Sequence, residues 1–238
     1  MFVINRRNLL IISVLVITAL TFVICFGALA STPTGDALSH NVKVVLDAGH
    51  GGIDGGVSGV NTGVKESELN LSVAKKLENH LKNAGMSVTL TRNSSAGLYG
   101  VASGNLKRKD MQKRKEIINN AKPDLVISIH MNKYGVSTRR GAQVFYKGSD
   151  ERSKLLAHSI QESFNLMPEA SRECSALMGD YYILNCSNYP TVIAECGFLS
   201  NPEDESLLIT DEYQEEISYS IFKGIVAYLS SSSMKFTD

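Results

Sequence analysis

The 238-residue chain has no excess of charge of either sign: 24 Lys and Arg balance 24 Asp and Glu, for a formal net charge of +0. Without a basic excess or a basic run, the footprint of a nucleic-acid binder is missing, and no nucleic-acid partner is expected. No block of like charge marks a tail. Cysteine is sparse, and the four present include no C-x-x-C pair, so a thiolate zinc finger is not indicated. There is no G-x-x-x-x-G-K-[ST] to cradle phosphate. The helical zinc-protease motif H-E-x-x-H is absent, as is the serine-hydrolase elbow G-x-S-x-G. Internal repeats and low-complexity tracts are absent too. What remains is an ordinary globular composition, 43% hydrophobic and 20% charged, enough for one domain or two small ones.

The N-terminus departs from this. Arg6 and Arg7 precede an apolar stretch from Leu9 to Ala30, broken only by Ser13, Thr18, Thr21 and Gly27. About 20 apolar residues suffice to cross a bilayer as a helix. Arginines before the stretch and none just after it favour an orientation with the N-terminus inside. Residues 1–30 are therefore expected to be a signal or anchor segment, with the rest of the chain exported. Ala28-Leu29-Ala30 resembles a cleavage site, whereas the length of the run favours a retained anchor. Residues 31–41, with Ser, Thr, Pro and Gly, form a linker. One domain is expected over 42–230, followed by a tail, 231–238. In the exported part Cys174 and Cys186 could pair, or serve as small buried hydrophobes.

Val42 to Asp47 is a β-branched run and predicts a strand. A glycine-rich loop, Gly49 to Gly63, follows. From Glu66 the period becomes helical: Leu69, Val73, Leu77 and Leu81 share one face, and Gly85 stops the helix. Met86 to Thr91 predicts a second strand. A helix with its basic residues outward is expected over about Asp110 to Asn120. Asp124 to Ile129 predicts a strand buried on both faces. Gly141–Tyr146 and Tyr181–Asn185 are expected as short strands flanking a helix from about Asp150 to Leu166. Pro190 to Glu195 predicts another apolar strand, and Asp211 to Leu229 a last helix. Strands alternating with helices argue an α/β sheet covered on both sides.

Polar residues close several of these apolar strands: Asp47-Ala48-Gly49-His50, Ser128-Ile129-His130-Met131-Asn132 and Ala194-Glu195-Cys196-Gly197. Ligands bind at the carboxyl ends of strands in open α/β sheets. Each residue alone has a plain structural explanation. A single His after a strand is more often structural or solvated than a ligand, and Glu66 at a helix start suits the helix dipole. Glu195, after Thr191-Val192-Ile193-Ala194, is harder to dismiss, because a buried carboxylate needs a partner. His40 falls in the linker, and His80 and His158 on helix faces. Zinc gives a physical reason to combine the rest. Catalytic zinc takes three ligands from His and carboxylate and leaves a fourth position for water. Its bound water has a pKa of about 7, and a separate carboxylate can move that water's proton. The loop glycines do not fit a dinucleotide fingerprint, since Gly49-His50-Gly51-Gly52-Ile53-Asp54 ends on Asp. They more readily let the backbone bend around His50. Substrate specificity is expected to sit in the loops over 93–105 and 133–140.

Val44-Val45-Leu46-Asp47-Ala48-Gly49-His50-Gly51-Gly52 resembles the opening motif of the N-acetylmuramoyl-L-alanine amidases of the amidase-3 family. The resemblance continues in order through Glu66 with Asn70-Leu71, through Ser128-Ile129-His130-Met131-Asn132, and through Glu195-Cys196-Gly197-Phe198-Leu199-Ser200-Asn201. It spans Val42 to about Leu229. It implies a single phosphorylase/hydrolase-like α/β domain, with a twisted mixed sheet of about six strands flanked by helices. It implies that His50, Glu66 and His130 hold Zn²⁺ and that Glu195 is the catalytic carboxylate. The substrate implied is peptidoglycan, cut at the amide between the lactyl group of muramic acid and L-alanine. Ala48, where Pro is frequent, and Cys196, where a small residue such as Thr or Val is common, depart from the family without removing a ligand. Arg92 and Arg114 match recurrent arginines, whose role is substrate contact or structural ion pairing. The short chain with one hydrophobic segment resembles the family's sporulation (cortex) amidases. That implies cortex glycan strands as substrate, muramic-δ-lactam formation as outcome, a place between the membranes around the forespore, and an accessory lipoprotein for some relatives. The same residues could instead serve a zinc carboxypeptidase-like peptidase acting on stem peptides. A non-catalytic glycan-binding protein would be expected to lose one of them.

Overall fold

The first strand, β1 (Lys43–Ala48), is buried from Val44 onward, as its unbroken apolar run requires when both faces of a sheet are covered. A computed structural model describes residues 42–101, 104–170 and 173–233. The expected signal or anchor segment and the linker lie outside the described residues. Among the described residues no helix is long and apolar enough to cross a membrane.

After β1 the chain forms α1 (Glu66–Asn83), β2 (Ser87–Leu90), α2 (Leu106–Ala121) and β3 (Leu125–Asn132). It continues through β4 (Gln143–Tyr146), α3 (Glu151–Asn165), β5 (Leu177–Met178), α4 (Tyr182–Asn185) and β6 (Thr191–Phe198), and ends with α5 (Pro202–Leu208) and α6 (Asp211–Ser233). Six strands form one mixed sheet in the order β2-β1-β3-β6-β4-β5. β1 is parallel to β2 and to β3, and β3 is parallel to β6. β4 runs antiparallel to β6 and parallel to β5.

From β1 the chain steps first to β2 on one side, then back across to β3 on the other. Right-handed crossovers in opposite directions place their helices on opposite faces, and α1 and α2 pack on opposite faces here. One face carries Val44, Leu46, Ile127, Ile129, Val192 and Ala194. They pack with Val73 and Leu77 of α1, Leu156 and Ile160 of α3, and Ile217 and Ile221 of α6. The other face is thinner: Val45, Val126 and Ile193 pack against Ile118 of α2 and Ile183 and Leu184 of α4. Side chains alternate along a strand, so the next positions on this thinner face are Asp47, Ser128, His130 and Glu195. The register pairs Asp47 with Ser128 and His130 with Glu195. The face therefore changes from apolar to polar toward the carboxyl ends of β1, β3 and β6, beside the point where strand order reverses.

Three expectations change. Tyr181–Asn185 is not a strand: Tyr182–Asn185 is one helical turn and the short strand of this region, β5, is Leu177–Met178. A short apolar run has no period long enough to separate the two states. The helix expected from Asp110 begins at Leu106, where the Asn105 side chain accepts the Arg108 N–H at 3.0 Å. Its basic residues are not all outward, since Arg114 is buried. α5 is an addition to the expected elements, although Asn201 caps it through the N–H groups of Glu203 and Asp204 and Pro202 opens it, a standard start signal. Of the two alternatives for Cys174 and Cys186, the unpaired one is observed: both are free, as is Cys196, and Cys186 is buried.

α3 and α6 approach closely at Gly224, where an added Cβ would lie 2.5 Å from Ile160 Cα. Alanine normally favours a helix over glycine by about 1 kcal/mol. Here Gly224→Ala is expected to reverse that sign and to lower stability by about 1–3 kcal/mol through overpacking, read from the midpoint of urea unfolding.

Candidate active site

His50 leaves β1 with φ 61, a left-handed conformation uncommon outside glycine, which His adopts more often than most side chains, as Asn and Asp do. Its imidazole Nδ1 lies 3.0 Å from Asp54 Oδ1, which turns Nε2 toward Glu66 Oε1 at 3.2 Å. Glu66 opens α1 and is 2% exposed. Its Oε1 also lies 2.9 Å from His130 Nδ1. The ligand atoms of His50, Glu66 and His130 all fall within 4.8 Å of one another, and the group can hold a metal ion. Two imidazoles and one carboxylate form a donor set suited to catalytic zinc.

The surroundings fix each member. Glu66 Oε2 accepts the Val57 N–H at 2.8 Å, and Oε1 accepts the Met131 N–H at 3.2 Å and the Asn70 amide at 3.3 Å. Two glycines make the space. A Cβ on Gly49 would lie 2.2 Å from the His130 ring, and one on Gly56 would lie 2.4 Å from Glu66 Oε2. Glu66 is on the buried stripe of α1, while Glu68 is exposed. Burial works against the Glu66 carboxylate. Hydrogen bonds and charge from His130 and His50 outweigh it and hold this carboxyl far below the ordinary range. Burial pulls His50 down, but its bonds to Glu66 and Asp54 leave it above its ordinary value.

Glu195 has the opposite setting. It sits within β6, next to His130 in register, and its Oε2 is sealed from solvent with no hydrogen-bond partner. Burial, reinforced by the Glu66 charge, pushes its pKa up to about 7 against the pull of His130 and His50. Both His130 and Glu195 lie inside their strands rather than beyond them. They reach the site because both point to the thin face. Two residues further on, the register between β3 and β6 slips, as at a bulge. A cavity of about 400 Å³ is lined by His50, Glu66, His130 and Glu195, with Tyr181 and Lys107 at its margin.

Arg92 and Arg114 are structural. Arg114 Nη1 meets Asp47 Oδ1 at 2.5 Å and the Ala48 carbonyl at 2.9 Å, Nη2 meets the His50 carbonyl at 2.6 Å, and Nε meets Asp110 Oδ2 at 2.7 Å. Arg92 donates to the carbonyls of Ala48, Gly49 and Ser67 at 2.8, 2.9 and 2.7 Å. Three successive carbonyls of the loop after β1 are thus held by two buried guanidiniums. Burial resists ionisation of Asp47. The Arg114 charge and the hydroxyls of Ser128 and Thr91 overcome it and keep the carboxyl below its ordinary value. Asp54, Asp110 and Tyr181 join the site without having been expected there. The four-residue spacing of Asp110 and Arg114 on a helix was the available signal.

Fold and site together define a class: an α/β hydrolase domain whose His–Glu–His group can hold a metal ion beside a free carboxylate. A family model for N-acetylmuramoyl-L-alanine amidase matches residues 44–227. The chain belongs to that family, amidase-3, and its enzyme class is N-acetylmuramoyl-L-alanine amidase. It is 33% identical over 189 residues to the germination-specific N-acetylmuramoyl-L-alanine amidase of Bacillus subtilis, a match that covers 78% of each chain. It is 26% identical to the amidase AmiA of Escherichia coli, over 78% of this chain and 75% of that one. The structure of the CwlD amidase from Clostridioides difficile, solved in complex with the GerS lipoprotein, superposes with a TM-score of 0.78. The two are 36% identical over 80% of this chain and 100% of that one.

Arg114→Ala would leave Asp47 buried without its cation. It is expected to cost about 3–5 kcal/mol, read by urea unfolding, whereas an arginine serving only substrate contact would leave stability unchanged.

Proposed function

We propose that the protein is a zinc-dependent amidase that hydrolyses the bond between the muramic acid lactyl group and L-alanine in peptidoglycan. The observation that carries this reading is the convergence of His50, Glu66 and His130 beside an unpartnered, sealed oxygen of Glu195. His50, Glu66 and His130 would hold the ion, and when bound it would supply Lewis-acid polarisation of the scissile carbonyl and acidification of water to a pKa of about 7.

The remaining work belongs to the chain. Asp54 keeps the His50 ring in the orientation that presents Nε2, and Val57, Asn70 and Met131 do the same for Glu66. Glu195 takes the proton of the attacking water and passes it to the leaving amine. A carboxyl poised near neutrality can both accept and return a proton. The products are a muramic carboxylate and a stem peptide with a free L-alanine amino group.

The setting we propose is spore cortex maturation, outside the cytoplasmic membrane between the membranes around the forespore. Support comes from the germination-specific relative and from the CwlD likeness. The arginine pair and apolar stretch near the N-terminus support an exported, anchored domain. An accessory lipoprotein is a proposed partner, because the CwlD structure includes one.

The purified protein is expected to carry one zinc per site and to lose activity with a chelator. Glu195→Gln should retain that zinc, measured by elemental analysis, while turnover falls by about 10²–10⁴-fold. Wild-type turnover in this variant would remove Glu195 from its role, and full activity after metal removal would overturn the zinc assignment. A ligand His must be neutral. Because His50 titrates above its ordinary 6.5, protons compete with zinc. Zinc affinity should weaken as pH falls through a value above 6.5, read by titration with a competing chelator.

A further inference from the structure

The catalytic cavity does not end at the metal group. A second cavity of about 470 Å³ is lined by Asn105, Lys107, Arg108, Met111, Gln112 and Tyr182. Lys107, Met111 and Tyr182 also line the catalytic cavity, so the two spaces adjoin across these three side chains, as the inner and outer ends of one binding region. Its two ends differ in charge. The inner end has five acidic side chains, Asp54, Glu66 and Glu195 among them, against the cations Lys107, Arg114 and Lys133, an acidic excess before any metal ion is counted. The outer end has two cations, two amides and no acidic side chain.

Charge then decides which part of the substrate lies in which end. In the bond cut by this family, the lactyl carboxyl of muramic acid is consumed in the amide, and the glycan side is neutral there. The leaving peptide keeps free carboxylates on residues beyond L-alanine. Lys107 and Arg108 offer those carboxylates charge-assisted hydrogen bonds. Asn105 and Gln112 offer amides to a peptide backbone, and Met111 and the half-exposed Tyr182 ring supply apolar contact. Lys107 also lies 3.8 Å from Asp54, the residue that orients His50, so it borders the metal group directly.

We propose that the outer end of this binding region is the subsite for the leaving stem peptide, and that Lys107 and Arg108 select peptides with a free carboxylate on the residue after L-alanine. This rests on the amidase reading above. It adds the first turn of α2 to the loops over 93–105 and 133–140 as a place where charge specificity resides.

The test compares two synthetic substrates that differ only in charge: N-acetylmuramoyl-L-alanyl-D-glutamate and its diamide. The zinc-loaded full chain should prefer the carboxylate form by about tenfold in kcat/KM, mostly through KM, as expected for about 1.4 kcal/mol of binding. Arg108→Glu should bring the ratio to one or below, and Lys107→Ala together with Arg108→Ala should bring it near one. Both substrates are read on the same preparation, so a loss of folded protein cancels from the ratio. A wild-type ratio near one, or a ratio that both variants leave intact, overturns the proposal. Cleavage of the diamide alone also overturns the subsite while leaving the amidase reading in place. Cleavage of neither substrate by a protein that holds zinc counts against the amidase reading itself.

Discussion

The buried pair between Asp47 and Arg114 is the interaction on which the active site depends. Asp47 ends the apolar run of β1, and Arg114 comes from α2 across the thin face of the sheet. A buried ion pair gives little net stability against its desolvation cost. This one sets geometry. Once held by Asp47 and Asp110, the guanidinium is fixed to receive the Ala48 and His50 carbonyls. Arg92 takes Ala48 and Gly49 from the other side. A left-handed His50 costs on the order of 1–3 kcal/mol, and these hydrogen bonds hold the loop in the shape that requires it. With the loop held, Gly49 has room only for the His130 ring beside it, and His50 faces Glu66.

Within this frame, one residue type is put to two uses by its surroundings. Glu66 and Glu195 line the same cavity. Glu66 is surrounded by donors and stays ionised, as the metal ligand proposed here would have to. Glu195 is sealed among groups that do not donate to its free oxygen, and it lies near neutrality. Pairs of carboxyls driven apart in this way mark a division between binding charge and moving protons. The separation arises from the sheet register, which puts Glu195 opposite His130 while Glu66 enters from the helix edge.

Much of this was legible in the sequence. Unbroken apolar runs gave β1, β3 and β6, and the stripe of Leu69, Val73 and Leu77 gave α1. The same stripe separates the two glutamates: Glu66 lies three residues before Leu69 and seven before Val73, so it falls on the buried face and Glu68 does not. The family resemblance, carried by four ordered motifs, joined residues far apart in the chain. Less was legible where no period could form or where composition misled. Tyr182–Asn185 is a single turn. α2 is so rich in Lys and Arg that its inward Arg114 is hidden among solvated neighbours. The clamp on the backbone carbonyls was invisible, because a carbonyl leaves no mark on a sequence.

The most direct measurement identifies the fragments released when the zinc-loaded protein digests purified cortex and vegetative peptidoglycan. Mass spectrometry should find whole stem peptides beginning with a free L-alanine amino group, and glycan carrying unsubstituted lactyl carboxyls. Release of single terminal amino acids, with the muramic amide intact, would contradict the account.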